Sequence, residues 1–270
     1  MNEDKGFALV TGASSGIGLA ISRELAGIGY PLLMVSNQEK EIAQSAGETE
    51  KTFGVKTIPL YMDLAQPDSA QRLFDYCEEN SIAVSVLVNN AGIFFFRDIC
   101  ATSTERINVM MNLHNLTPVM LCRLFAEKMK TQKRRGYILN MASIAGWMMM
   151  PGITMYSATK SFLRCFSRAL RCELFDYGIS ITTVCPGAVA TNLFGLKPSL
   201  MNLGMRLGII ITPEKLARNA VKKLLKGKAE YIPGLLLNRL FILIIKALPE
   251  FLIQRLKKAI DRKITKSART

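Results

Sequence analysis

Histidine is almost missing from this 270-residue chain; His114 stands alone. With one imidazole and no Cys/His cluster, the sequence offers no ligand set for a zinc site, and no metal is expected. The six cysteines (Cys77, Cys100, Cys122, Cys165, Cys172 and Cys185) include no C-x-x-C pair. They suit small core residues in a reducing, cytoplasmic compartment better than a disulfide framework. The opening MNEDKGFALV has no basic stretch followed by an apolar one, which argues against a secretory signal. The longest clean apolar run of the C-terminal tail, residues 240–245, is six residues, against the about 20 needed to span a bilayer as a helix. Internal repeats, low-complexity blocks and obvious linkers are absent too. No recognition motif or aromatic-interleaved basic platform speaks for nucleic acid.

What is present is the mixture of an ordered globular protein, 49% hydrophobic and 21% charged. Apolar runs at 7–12, 31–37, 56–63, 84–92, 137–143 and 179–187 read as buried strands, bounded by Gly, Asn, Asp or Ser. Helical spacing fills 17–28, 67–80, 104–132 and 155–177. Strands alternating with helices predict an α/β fold, a Rossmann-like, doubly wound parallel sheet covered on both faces. The expected division is a catalytic domain over 1–213 and a basic amphipathic extension over 214–270 packed on it. From Lys215 to Thr270 fifteen Lys and Arg meet three acids, so twelve of the fourteen net positive charges lie there.

The stretch FALVTGASSGIGLA (7–20) places Gly12, Gly16 and Gly18 where the first strand turns into the first helix. Glycine weakens helices, so three in seven positions need a reason. A helix N-terminus presents free N–H groups and partial positive charge, and missing Cβ atoms let phosphate oxygens approach. A short glycine motif alone is also compatible with an ordinary tight turn.

The spacing G-x-x-x-G-x-G, however, resembles the cofactor turn of the short-chain dehydrogenase/reductase family, and further motifs follow in order. They are Asn89-Asn90-Ala91-Gly92 after strand four, Ser143 after strand five, Tyr156-x-x-x-Lys160, and Pro186-Gly-x-x-x-Thr191 after strand six. The resemblance covers about residues 7 to 191. It implies a nicotinamide dinucleotide held by Gly12, Ser14, Ser15, Gly16, Ile17, Gly18, Ser36, Asn37, Asp63, Leu64, Asn90, Ala91, Gly92, Tyr156, Lys160, Pro186, Gly187, Val189 and Thr191. Asp63 and Leu64 would bracket the adenine. It also implies catalysis by Ser143, Tyr156 and Lys160.

Tyr156 and Lys160, four apart, share one face of a helix. A phenol titrates near pH 10 in water, and a neighbouring ammonium is expected to pull it toward the working range. Ser143 would hold the substrate oxygen. At the place where the family usually has an asparagine stands His114, with Asn115 next to it. A backbone role would tolerate this departure, an imidazole could relay protons, and an isolated histidine on a helix is often structural.

At the end of strand two, where an acid favours NAD, the chain has Ser36-Asn37 and no carboxylate. That favours NADP(H), with Ser14, Ser36 and Asn37 as hydrogen-bond donors, although the arginine frequent at Asn37's place is lacking. Phe94–Phe96, Trp147–Met150 and the segment 192–211, the family's mobile substrate lid, are rich in Leu, Met, Ile and aromatics. They suit an apolar carbonyl or alcohol, or else pack an oligomer contact or core. The basic tail predicts either peripheral contact with anionic membrane or a helix capping the cleft with a solvated basic face. The leading expectation is therefore an NADP(H)-dependent carbonyl reductase or alcohol dehydrogenase, forming homodimers or homotetramers through 104–132 and 155–177. The alternatives are a 3-oxoacyl-thioester reductase at a membrane surface and a cofactor-binding scaffold without catalysis.

Overall fold

Residues Ala8–Thr11 of β1 (Phe7–Thr11) are all buried, as is the whole of β2 (Leu32–Ser36). Such runs need apolar cover on both faces. A computed structural model, describing residues 5–148, 150–191, 204–205, 210–234, 249–255 and 257–258, shows how they get it. With β3 (Thr57–Tyr61), β4 (Val84–Asn89), β5 (Gly136–Met141), β6 (Ile179–Val184) and β7 (Glu230–Tyr231) they form one parallel sheet in the order β3-β2-β1-β4-β5-β6-β7. All six pairings are parallel. The chain reverses its winding direction between β1 and β4, which opens a crevice at the carboxyl ends of those strands.

Period-two alternation divides each central strand between two cores. Ala8, Val10, Val86 and Val88 face α1 (Gly16–Gly27), α2 (Glu39–Phe53) and α7 (Pro213–Leu225). Leu9, Leu33, Leu87 and Ile138 face α3 (Ser69–Glu79) and α5 (Thr117–Thr131). α4 (Thr104–Met111) runs into α5 through a π-helical turn, Asn112–Leu116. The sequence predicts the whole stretch as one helix, and the widened turn is what its periodicity could not reveal. α6 (Thr154–Glu173) follows β5 and carries Tyr156 and Lys160.

The seventh strand is too short to leave a pattern in the sequence. Together with α7 it lies in the segment expected to form an extension. Yet Leu216, Ala217, Ala220 and Leu224 of α7 are completely buried in the same core as α1, and β7 pairs with β6. Thr212 caps α7, its hydroxyl accepting from the Lys215 N–H at 3.3 Å, with Pro213 at the first turn. The expected lid at 192–211 lies outside the described residues except at 204–205 and 210–211, and residues 235–248 lie outside them as well. All six cysteines are free, Cys77, Cys122 and Cys185 buried. Because Leu216 is a full member of the core, Leu216→Ala should cost about 2–5 kcal/mol of stability. Chemical denaturation checks this: a loss near zero would mean that α7 is an appendage.

Candidate active site

A cleft of about 750 Å³ opens at the carboxyl ends of the strands. Every residue that the motifs single out lines it except Gly18, which lies one step inside α1, and Asn89, whose amide donates instead to Asn140 Oδ1 at 2.8 Å. Gln38, Met62, Ile93, Val109, Leu113 and Met141 line it too.

The glycine turn comes first. Gly12 and Gly16 have φ of +64° and +56°, a region that side chains avoid. A Cβ on Gly12 would come within 2.9 Å of the Ala91 Cα, and one on Gly18 would overlap the Gly12 carbonyl oxygen. The turn is therefore packed as tightly as backbone allows against the end of β4. Asn90 fastens it: its Nδ2 donates to the Thr11 carbonyl at 3.0 Å and to the Gly12 carbonyl at 3.3 Å. The Thr11 hydroxyl accepts from the N–H groups of Asn90 and Ala91 at 2.9 and 3.0 Å. Ser15 begins α1 without making a side-chain cap, and no acid stands in the first turn. The first N–H groups of α1 thus face the cleft free, a seat for an anionic group. Thr11 was inside the quoted motif, but only the strand pairing shows what its hydroxyl does.

At the end of β2, Ser36, Ser14 and Gln38 close a small ring of hydrogen bonds. The Gln38 N–H donates to Ser36 Oγ at 3.2 Å, the two serine hydroxyls lie 2.9 Å apart, and Ser14 donates to Gln38 Oε1 at 2.9 Å. Gln38 was not expected here; it stands just before α2, where nothing in the sequence marks it. Asp63 is held by the Ala65 N–H at 3.0 Å and the Gln66 amide at 2.8 Å. Glycine bend, uncapped helix and polar β2 corner together fit the phosphates and ribose of a dinucleotide.

Ser143, Tyr156 and Lys160 meet at the other end, all buried. Ser143 follows β5; its Oγ accepts from the Ala145 N–H at 3.1 Å and donates to the Pro186 carbonyl at 3.4 Å. The Lys160 ammonium donates to the Met141 carbonyl at 2.9 Å and sits 5.7 Å from the centre of the Tyr156 ring. Burial pushes Lys160 down from 10.5 to about 8. Burial also raises the Tyr156 phenol above its ordinary value, with the neighbouring Ser143 hydroxyl acting weakly the other way. The expected lowering of the phenol by the ammonium is thus not what the ligand-free protein has. Desolvation outweighs the charge, and the phenol keeps its proton.

His114 sits in the π-helical turn, 1% exposed. Its Nε2 accepts from the Ile93 N–H at 3.0 Å, and its Nδ1 lies 3.0 Å from Thr159 Oγ1. The Ile93 bond leaves Nδ1 as the protonated nitrogen, donating to Thr159, whose hydroxyl in turn donates to the Tyr156 carbonyl at 2.9 Å. Burial, then the Lys160 charge, holds this imidazole well below its ordinary pKa, so it is neutral. Both nitrogens are occupied, which suits a brace between the β4 loop and α6. Asn115 bonds the Thr159 carbonyl at 3.1 Å from the next position. Among the described residues no cluster of three His, Cys, Asp or Glu could hold a metal ion.

A cofactor turn, a Ser/Tyr/Lys group and a doubly wound sheet in one chain define a nicotinamide-dependent oxidoreductase. Residues 6–199 match the family described as short chain dehydrogenase, and the chain belongs to it. The zebrafish (Danio rerio) 17-beta-hydroxysteroid dehydrogenase type 3 is 30% identical over 256 residues, covering 92% of this chain and 78% of that relative. The very-long-chain 3-oxoacyl-CoA reductase of the duck Anas platyrhynchos is 33% identical over 201 residues, covering 72% of this chain but only 63% of the relative. Among solved structures, an alcohol dehydrogenase from the archaeon Thermococcus sibiricus, complexed with 5-hydroxy-NADP, superposes with a TM-score of 0.73. It is 26% identical, covering 85% of this chain and 96% of that one.

The buried lysine has a measurable consequence. Between pH 8 and 10.5 the unfolded chain keeps the Lys160 proton and the folded one has lost it. This group therefore adds stability as pH rises through that window, and its burial penalty is complete below it. In Lys160→Met that rise should disappear from a plot of Tm against pH, and the variant should melt at or above wild type at pH 7. A variant that melts lower at pH 7 and keeps the rise would contradict the assignment.

Proposed function

We propose that the chain is an NADP(H)-dependent reductase of apolar ketones, able to run in reverse on secondary alcohols, with Tyr156 as the proton donor. The observation that carries this reading is the setting of the Tyr156 hydroxyl. It belongs to the same buried group as Ser143 and Lys160, while the ring lies in an apolar cluster. Phe94 meets it edge-on at 5.0 Å, and Met110, Ile153, Met148 and Met150 belong to the same cluster. Aromatic and thioether groups of this kind suit a bulky hydrocarbon without fixing its shape. The relatives named for a hydroxysteroid and for a very-long-chain acyl group support an apolar substrate.

When bound, the cofactor supplies or accepts hydride at its nicotinamide ring. Ser143 Oγ orients the substrate oxygen. Tyr156 delivers its phenolic proton to that oxygen, and burial keeps the phenol in the protonated form that reduction needs. Lys160 holds positive charge beside the phenolate that results and stabilises it until solvent returns the proton. His114, with both nitrogens engaged, braces the backbone beside them.

The NADP preference is supported by the absence of a carboxylate from the Ser14–Ser36–Gln38 ring and Asn37. A 2′-phosphate would meet hydroxyl and amide donors from these residues, none of which carries a negative charge. The archaeal neighbour with its NADP derivative points the same way. Self-association through α6 would use its exposed stripe of Ala158, Phe162, Cys165, Ala169 and Cys172, spaced as one helix face. Among the described residues no helix is long and apolar enough to cross a membrane. Contact of the basic tail with an anionic membrane surface belongs to this proposal too. So does a cytoplasmic setting.

A second reading, reduction of 3-oxoacyl thioesters, is favoured by the relatives named as very-long-chain 3-oxoacyl-CoA reductases, the duck protein among them. NADPH oxidation over a panel of steroid ketones, aliphatic ketones and 3-oxoacyl thioesters separates the two. Tyr156→Phe should lower kcat by about 10²–10⁴-fold, the usual contribution of a positioned acid; a variant as fast as wild type would refute the role of the phenol. Asn37→Asp should weaken NADPH binding and leave NADH binding unchanged or improved, as measured by nicotinamide fluorescence. Equal NADPH affinity in both proteins would remove the β2 corner from the specificity argument.

A further inference from the structure

Trp147 is the chain's single tryptophan. It ends a 3-10 helical turn, Ile144–Trp147, whose first capping residue is Ser143. Three sets of contacts hold this turn. The Ile144 N–H donates to the Pro186 carbonyl at 3.0 Å, the same oxygen that the Ser143 hydroxyl reaches. Gly146 lies flat on α6: a Cβ there would come within 3.0 Å of the Lys160 carbonyl and the Ser161 nitrogen. Any side chain at Gly146 would lift the turn off the helix at the lysine itself. One turn further along α6, the Arg164 guanidinium lies over the Trp147 ring, 4.0 Å from its centre. The same guanidinium donates from Nε to Glu230 Oε1 at 2.8 Å.

Glu230 opens β7, a strand of two residues. Tyr231, the second, accepts from the Cys185 N–H at 2.8 Å, immediately before Pro186. The contacts thus form a closed circuit: the Ser143 turn, Trp147, Arg164, Glu230, β7, the end of β6, and back to Ser143 through Pro186. The Arg164 and Glu230 side chains are only 20% and 25% exposed, so their pairing is less screened than a surface ion pair. A guanidinium can stack on an indole with its face while donating to a carboxylate with its edge; an ammonium cannot do both in one plane.

We infer that Arg164 and Glu230 are positioning residues which, acting through Trp147, fix the Ser143 turn on α6 and so set the Ser143 hydroxyl against Tyr156 and Lys160. This inference rests on the reading of Ser143 as the residue that orients the substrate oxygen. It gives a purpose to an edge strand too short to add much to the sheet. β7 delivers a carboxylate to the outer side of Arg164.

The experiment uses the full chain and the variants Arg164→Ala, Glu230→Ala, Glu230→Gln, Trp147→Ala and Ser143→Ala. For each, kcat for a ketone that wild type reduces is compared with NADPH affinity from nicotinamide fluorescence, with far-UV circular dichroism and, in the variants that keep the indole, with Trp147 emission. Arg164→Ala and Glu230→Ala should lower kcat about tenfold, short of the hundredfold that a 1 Å misplacement can cost. NADPH affinity should stay unchanged, and the Trp147 emission should shift as the ring loses its cover. Glu230→Gln, which keeps an oxygen acceptor for Arg164, should recover most of kcat. Arg164→Ala combined with Trp147→Ala should be no slower than the slower of the two alone. If Arg164→Ala does not fold, Glu230→Ala carries the same comparison. An unchanged kcat despite shifted emission overturns the inference, as does a loss in kcat matched by lost NADPH affinity and not relieved in Glu230→Gln. Wild-type activity in Ser143→Ala would instead bring down the reading of the site. An inactive Ser143→Ala beside a fully active Arg164→Ala would bring down this inference alone.

Discussion

The candidate site depends on one costly arrangement: an amine and a phenol, four residues apart on α6, both buried at the carboxyl edge of a parallel sheet. Water would hold the ammonium better than the protein does, and Lys160 donates to the Met141 carbonyl in exchange. Such a penalty is tolerated where the chemistry needs it. Burial does two things at once. It keeps the Tyr156 phenol protonated, ready to give a proton, and it readies the lysine to lose or regain one near neutral pH.

The rest of the fold brings the other parts to that edge. Two-faced strands leave no exposed side to the central sheet, so the crevice at the reversal of winding is where a ligand can approach backbone. Thr11 and Asn90 join β1 to β4 by five hydrogen bonds, which sets the glycine bend against the strand that leads to Phe94. His114 joins that same loop to Thr159. The cofactor end and the reacting end of the cleft are therefore connected through β4 and its loop, not only through the sheet as a whole.

Strands one to six were legible because near-continuous apolar runs ended in Gly, Asn or Ser. The shared placement of the glycine bend, Asn90 to Gly92, Ser143 and Pro186 was legible because each follows a strand end, whereas Tyr156 and Lys160 lie on α6. β7 was not, since two residues carry no period, and α7 was assigned to an extension because its Lys and Arg dominate the composition. Its apolar face, Leu216, Ala220, Val221 and Leu224, has helical spacing in the sequence and was masked by that charge. The π-helical turn around His114 leaves no mark in a 3.6-residue pattern. The direction of the tyrosine shift was misjudged for a physical reason: spacing on a helix shows that an amine is near, but says nothing of how much water both groups have lost.

Of Phe94 to Phe96, read from sequence as substrate wall, Phe94 and Phe95 pack in the apolar cluster around Tyr156, with Phe95 under the Arg106 guanidinium at 4.6 Å, whereas Phe96 is exposed. In the proposed function, substrate choice falls to adaptable apolar groups, while the chemistry falls to polar groups held by backbone contacts. The protonation of Tyr156 is the point on which this division turns. Ultraviolet difference titration of ligand-free wild type against Tyr156→Phe reads it directly. Burial predicts that the Tyr156 tyrosinate absorbance rises with a midpoint above pH 10, the ordinary value for a phenol. A tyrosinate that appears near neutral pH and is missing from the variant would show that the ammonium governs the phenol after all.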